Sequence, residues 1–166
     1  MRVHTNTAEE TERFGGRLAA ARPAADQGLA VLYLSGELGA GKTTFARGFL
    51  RAHGIAAAVR SPTYTLLELY VAGAVTLLHI DLYRLRTPAE LESLGLRDWA
   101  RPGCLWLIEW PERGRGHLPP ADLTLTFTVG AHTHDIEVTA DTERGRAWAK
   151  LLPATGSGHP RGQTRR

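Results

Sequence analysis

Residues 36–43 read Gly36-Glu37-Leu38-Gly39-Ala40-Gly41-Lys42-Thr43, which places glycines, a lysine and a hydroxyl at the spacing G-x-x-x-x-G-K-[ST]. Each residue type has a chemical reason to be there. Glycines permit the tight turns that aim successive backbone N–H groups at one anion. A helix beginning at the end of such a loop adds unsatisfied N-terminal donors and the positive end of its dipole. Lys42 would reach the β- and γ-phosphates of a nucleotide, and the Thr43 hydroxyl would ligate magnesium. The chain has two lysines, Lys42 and Lys150, and one stands where this motif requires it. The expected cofactors are therefore ATP and Mg2+. GTP is disfavoured, because the guanine-reading N-K-x-D signature is absent and the one asparagine is Asn6.

Two acidic residues end apolar runs. Asp81 follows Leu77-Leu78-His79-Ile80, and Glu109 follows Leu105-Trp106-Leu107-Ile108. A carboxylate at the end of such a strand faces the phosphate loop, since ligands bind at the carboxyl ends of these sheets. It can hold magnesium or orient an attacking water. Taken alone, each acid reads equally well as a solvated strand end, and spacing does not say which of the two touches the metal. Ser61-Pro62-Thr63 lies where many nucleotide switches carry a loop that senses the γ-phosphate. Thr63 could complete a magnesium shell there; an ordinary proline turn is the competing reading. His132 and His134 lie two apart but have no further ligand nearby in sequence, which favours exposed strand histidines over a metal site. His79, inside an apolar run, reads as a hydrogen-bonded core histidine, Cys104 as packing, and Trp106 and Trp110 as core or rim aromatics.

These residues need a scaffold. Leu29–Leu34 is apolar on both parities, as a buried parallel strand would be. Thr43 to His53 puts Phe45, Ala46, Phe49 and Leu50 on one helical face, with Gly54 suited to the C′ position. Strand, glycine-rich loop and helix thus follow in order. Upstream, Thr7 and Glu10 have capping-box spacing ahead of Phe14, Leu18 and Ala21, and Pro23 stops that helix. Tyr64–Val71 and Ala74–Ile80 read as strands of a hairpin, Pro88–Leu94 as a short helix, and Cys104–Ile108 as a central strand. Leu123 to Val129, together with Ile136 and Val138, predicts a second hairpin, and Thr142–Leu152 a closing helix. The expected fold class is α/β, a P-loop NTPase-like three-layer sandwich with a mixed central sheet.

A chain of 166 residues with no internal repeat or linker suggests a single ATPase domain over 1–152. From 153 to 166 the sequence is Gly, Ser, Pro and Arg without apolar period, the composition of a disordered basic tail. Arg161, Arg165 and Arg166 account for the whole net charge of +3, so charge alone does not indicate a nucleic-acid binder. A lone Cys104 excludes an internal disulfide and points to a reducing compartment. With no apolar run of membrane-spanning length and no signal-peptide core, the expectation is a cytoplasmic protein without a membrane partner.

In order along the chain stand GELGAGKTT (Gly36–Thr44), SPTYTL (Ser61–Leu66), HIDLYRL (His79–Leu85) and LIEWPE (Leu107–Glu112). This ordered set, spanning Thr7 to about Val138, resembles the TsaE family, small bacterial P-loop ATPases of tRNA threonylcarbamoyladenosine synthesis. Glu37 stands where the family often has Asp, and the basic residue expected in the C-terminal hairpin has no clear counterpart near Gly130. The resemblance implies that Gly36, Glu37, Leu38, Gly39, Ala40, Gly41, Lys42, Thr43 and Thr44 bind the nucleotide. It further implies that Glu109 joins Thr43 in the metal shell, Asp81 assists hydrolysis, Thr63 lies on the switch loop and Trp110 flanks the site. Lys42, Asp81 and Glu109 would be the catalytic set. Implied partners are TsaB and TsaD, with tRNA reached through that complex. The role would be an ATP-hydrolysing accessory, slow without its partners, and not the threonylcarbamoyl transferase. From residues alone the runner-up is a small-molecule kinase, with Arg113 and Arg115 on a lid; a third class is a nucleotide-gated binding module with negligible turnover.

Overall fold

Four of the apolar runs form the parallel centre of one seven-stranded sheet. The computed structural model describes residues 1–24, 27–56, 58–130 and 133–152; His132 and the expected tail from 153 onward lie outside them. In chain order the strands are β1 (Arg2–Thr5), β2 (Ala30–Gly36), β3 (Leu67–Ala72), β4 (Val75–Asp81), β5 (Cys104–Glu109), β6 (Leu123–Val129) and β7 (His134–Ala140). They lie in the order β1-β7-β6-β2-β5-β4-β3. β6, β2, β5 and β4 are parallel. β3 pairs antiparallel with β4, β7 with β6, and β1 with β7. The sheet is mixed because both hairpins fold back onto a parallel core. β5 is buried at every residue, which is why Cys104–Glu109 carries no polar alternation.

The helices are α1 (Ala8–Ala20), α2 (Lys42–Ala52), α3 (Glu90–Ser93) and α4 (Glu143–Lys150). On one face Phe14, Leu18, Phe45, Phe49 and Trp148, from α1, α2 and α4, pack on Leu32, Leu34, Leu107 and Leu125 of the sheet. On the other, Val31, Leu78, Ile80, Trp106 and Ile108 are covered by Leu82, Leu85, Leu91 and Leu96. That second cover is thin: the four residues of α3, a 3-10 turn at Leu96–Trp99 and connecting segments. The structure is thus a three-layer α/β arrangement with unequal outer layers.

α1 fixes where α2 lies. A Cβ on Gly15 would stand 2.3 Å from the Phe45 carbonyl oxygen, and one on Gly48 would stand 2.0 Å from that of Glu12. The two helix backbones therefore touch, and any larger side chain at either glycine would push them apart. Glu12 adds ion pairs to Arg47 at 2.9 Å and Arg51 at 2.6 Å. The Thr7 side chain caps α1 by accepting the Glu10 N–H at 3.1 Å. Glu10 reaches back to the Asn6 N–H at 2.6 Å, one residue earlier than in a reciprocal capping box.

Two local expectations change. β1 was not anticipated: four residues give too short a pattern, and pairing with β7 makes the strand. The strand expected from Tyr64 starts at Leu67, because residues 63–65 turn, Leu66 has φ 64° and Tyr64 is 83% exposed.

Candidate functional site

The glycine-rich loop joins β2 to α2. Gly36 has φ 139°, and a Cβ there would lie 2.4 Å from the Phe127 carbonyl oxygen, so no other residue fits. Gly41, at φ 102°, is the N-cap of α2 and supplies no side-chain cap. The first N–H groups of α2 are thus left without a side-chain acceptor, the condition for binding an anion at a helix start. Lys42 is 4% exposed; its Nζ donates to the carbonyls of Gly36 at 2.6 Å and Glu37 at 2.7 Å. The same ammonium lies 4.1 Å from the centre of the Trp110 ring. Burial pushes the Lys42 pKa below the ordinary lysine value, and the carboxylates of Glu109, Glu112 and Asp81 oppose that shift.

The strand register sets Asp81 directly opposite Glu109 at the ends of β4 and β5. Both are 2% exposed. Thr43 Oγ1 donates to Glu109, 3.0 Å from Oε1 and 3.1 Å from Oε2, while His79 Nε2 donates to Oε1 at 2.8 Å. Asp81 Oδ2 accepts from Thr63 Oγ1 at 2.9 Å and from the Ser61 hydroxyl. Asp81 Oδ1 accepts the Tyr83 N–H at 2.9 Å. The Tyr83 ring packs on Trp110, with centroids 5.0 Å apart, and the Arg113 guanidinium lies over Tyr83 at 5.5 Å. Arg113 is therefore stacked on the site's rim.

A cavity of about 250 Å³ gathers Leu38, Gly39, Gly41, Lys42, Thr43 and Thr44 of the loop and helix. Thr63, Asp81, Glu109 and Trp110 complete the expected set in its wall, joined by Ser61 and Tyr83. The other three expected residues serve it from outside. Gly36 and Glu37 hold Lys42 through their carbonyls, and Ala40 is a core residue whose carbonyl accepts from His134 Nδ1 at 3.0 Å. A larger cavity, about 620 Å³, lies at the C-terminal ends of α1 and α2 among Ala19, Ala20, Arg22, Ala52 and His53. Among the described residues its lining includes no carboxylate and no residue of the loop, so chemistry rather than size marks the site.

Thr43 beside Glu109 is a donor set suited to magnesium. Among the described residues no three His, Cys, Asp or Glu gather as a metal cage. A hydroxyl and a carboxylate leave most of the shell to phosphate and water, as Mg2+ prefers.

Three contributors were not assigned to the site from sequence. His79 is the buried, hydrogen-bonded histidine expected, but its partner is Glu109. His134, expected as an exposed strand residue, is half-buried against the loop. It is a titratable side chain of the C-terminal hairpin, four residues beyond Gly130, that touches the loop. Its distance in sequence from residue 40 hides that contact. Tyr83 carried one signal, its place two residues after Asp81.

The family model described as threonylcarbamoyl adenosine biosynthesis protein TsaE matches residues 5–138. The chain belongs to the TsaE family. A tRNA threonylcarbamoyladenosine biosynthesis protein TsaE from Haemophilus influenzae is 45% identical over 116 residues, 70% of this chain and 73% of that one. The TsaE of Bacillus subtilis is 36% identical over 141 residues, covering 84% and 85%. The crystal structure of Bacillus subtilis YdiB superposes with a TM-score of 0.73 at 30% identity, over 92% of this chain and 93% of that chain. The TsaE match spans the loop, Ser61–Thr63, Asp81 and Glu109, so the whole site lies inside it. No helix among the described residues is long and apolar enough to cross a membrane.

Proposed function

We propose that this TsaE-family protein serves tRNA threonylcarbamoyladenosine synthesis as a cytoplasmic, magnesium-dependent ATPase that acts on the TsaB–TsaD pair and does not itself transfer the threonylcarbamoyl group. The observation that carries the ATPase reading is the contact between Thr43 and Glu109 at the foot of a glycine-rich loop that leaves α2 uncapped. The uncapped N–H groups and Lys42 bind and orient the phosphates. Thr43 and Glu109 would hold the metal, which when bound would neutralise developing charge on the phosphoryl oxygens. Asp81 orients the attacking water, and the Ser61–Thr63 segment, tied to Asp81, responds to the γ-phosphate. Trp110 shields Lys42 and closes one side of the cleft.

Phosphate release from ATP is the test, measured for the isolated chain and with TsaB and TsaD added. The expected result is slow release alone and a changed rate with the partners, as when a site is completed in trans. Phosphoryl transfer to a small acceptor, with no response to TsaB and TsaD, would replace this reading with a kinase.

A further inference from the structure

We infer that His79 is a positioning residue for the metal site: its imidazole holds the Glu109 carboxylate in the orientation that faces Thr43. The inference rests on the magnesium reading of Glu109 and goes beyond it to a residue outside the cavity wall.

His79 and Glu109 lie on neighbouring parallel strands. His79 is opposite Leu107 in the register, so Glu109 is its diagonal neighbour on the same sheet face, the one covered by α2. The imidazole is wholly buried. Its Nε2 donates to Glu109 Oε1 at 2.8 Å, and its Nδ1 has no hydrogen-bond partner among the described residues. Burying an imidazole costs free energy that a leucine at the same place would not. Its one polar contact among the described residues is the carboxylate.

That contact has a directional consequence. Oε1 receives both His79 and Thr43, whereas Oε2 receives Thr43 alone. His79 thus occupies the interior side of the carboxylate and leaves the other oxygen to the cleft. Thr43 is itself a metal-ligand candidate, so its hydroxyl cannot be the sole restraint on Glu109. Without the imidazole donor, the carboxylate would keep its charge but lose its fixed aim. Partners behind ligating side chains of this kind are worth about 10–100-fold in metal affinity.

The test compares full-length His79→Leu, His79→Gln and His79→Asn with the parent. ATP affinity is measured by competition with a fluorescent ATP analogue, once in saturating Mg2+ and once in EDTA, alongside thermal melting. The readout is the factor by which Mg2+ tightens ATP binding. His79→Leu should fold, bind ATP in EDTA like the parent and lose about tenfold of the Mg2+ factor. His79→Gln places an amide N–H near the position of Nε2 and should recover most of it; His79→Asn, too short, should not. If His79→Leu does not fold, the Gln and Asn pair carries the comparison. A Mg2+ factor equal to the parent's in a folded Leu or Asn variant overturns the inference. Glu109→Gln is the reference. Where Glu109→Gln lowers the factor and the His79 variants do not, the positioning role alone fails. Where Glu109→Gln leaves it unchanged, the magnesium reading fails and takes the inference with it.

Discussion

Asp81 and Glu109 are equally buried neighbours at the same level of adjacent strands, yet different parts of the chain hold them. Glu109 is gripped by regular structure: Thr43 on the first turn of α2 and His79 within β4. Asp81 is gripped by connections: Ser61 and Thr63 from the segment between α2 and β3, and the Tyr83 N–H just past β4. Next to each acid the backbone is forced. Leu66, whose carbonyl accepts the Asp81 N–H at 3.0 Å, has φ 64°, and Trp110, directly after Glu109, has φ 58°. They are the non-glycine residues at positive φ among the described residues, each costing about 1–2 kcal/mol. Strain at these two positions is consistent with a site that over-determines its geometry. The contrast teaches how one chemical group, the carboxylate, can take two roles. A carboxylate clamped between helix and strand suits a standing metal ligand, while one tied to a connecting segment suits a group whose surroundings change with the nucleotide.

The largest expected effect is on the Glu109 side. On the proposed reading Lys42→Ala removes a charge-assisted donor to the phosphates, and loss of about 3 kcal/mol of transition-state stabilisation should slow phosphate release roughly a hundredfold. Release at the parental rate would contradict the assignment of the loop. On the Asp81 side, Ser61→Ala with Thr63→Ala removes two hydrogen bonds to a buried carboxylate. Stability should fall by about 2 kcal/mol in urea melts. Hydrogen exchange should rise in residues 61–66 while the Mg2+ factor in ATP binding holds. A fall in that factor would erase the distinction between the acids.

Thr43→Ala makes a smaller change, raising the Mg2+ concentration needed for turnover severalfold and leaving residues 61–66 as protected as before. The smallest effect lies remote from both acids. Burial pushes the His53 pKa below its ordinary 6.5, with a hydrogen bond to the Phe49 carbonyl opposing and Arg22 assisting. The unfolded chain then takes up the proton first, so stability falls as pH drops from 6.5 toward the folded value and levels off below it. His53→Gln should flatten that part of the urea-melt pH profile without touching nucleotide binding. An unchanged slope would mean that other groups set the acid limb.

Most of what positions the glycine-rich loop was legible in sequence, because local pattern dictates it. An apolar run of both parities makes β2, and an apolar helical face makes α2. Glycines stand where the backbone takes positive φ. The hairpins followed from the short Ala72-Gly73 link and from alternation on either side of Gly130. β1 was not legible, since its four residues form a strand only by pairing with β7, over a hundred residues away. The same physics divides the site. Asp81 and Glu109 announced themselves by ending strands, but their partners arise from register and crossover. His79 could be read as a buried histidine and not as the donor to a residue thirty positions on. His134 could not be placed against Ala40 without the order of strands.

The division of labour between the two carboxylates is tested most directly by measuring, in parallel for Glu109→Ala and Asp81→Ala, the Mg2+ factor in ATP binding and the rate of phosphate release. The account predicts that Glu109→Ala loses most of the Mg2+ factor, and that Asp81→Ala keeps it while losing turnover, the pattern of an interaction needed mainly in the transition state. The reverse assignment, or two variants that both keep the parental Mg2+ factor and the parental rate, would contradict it.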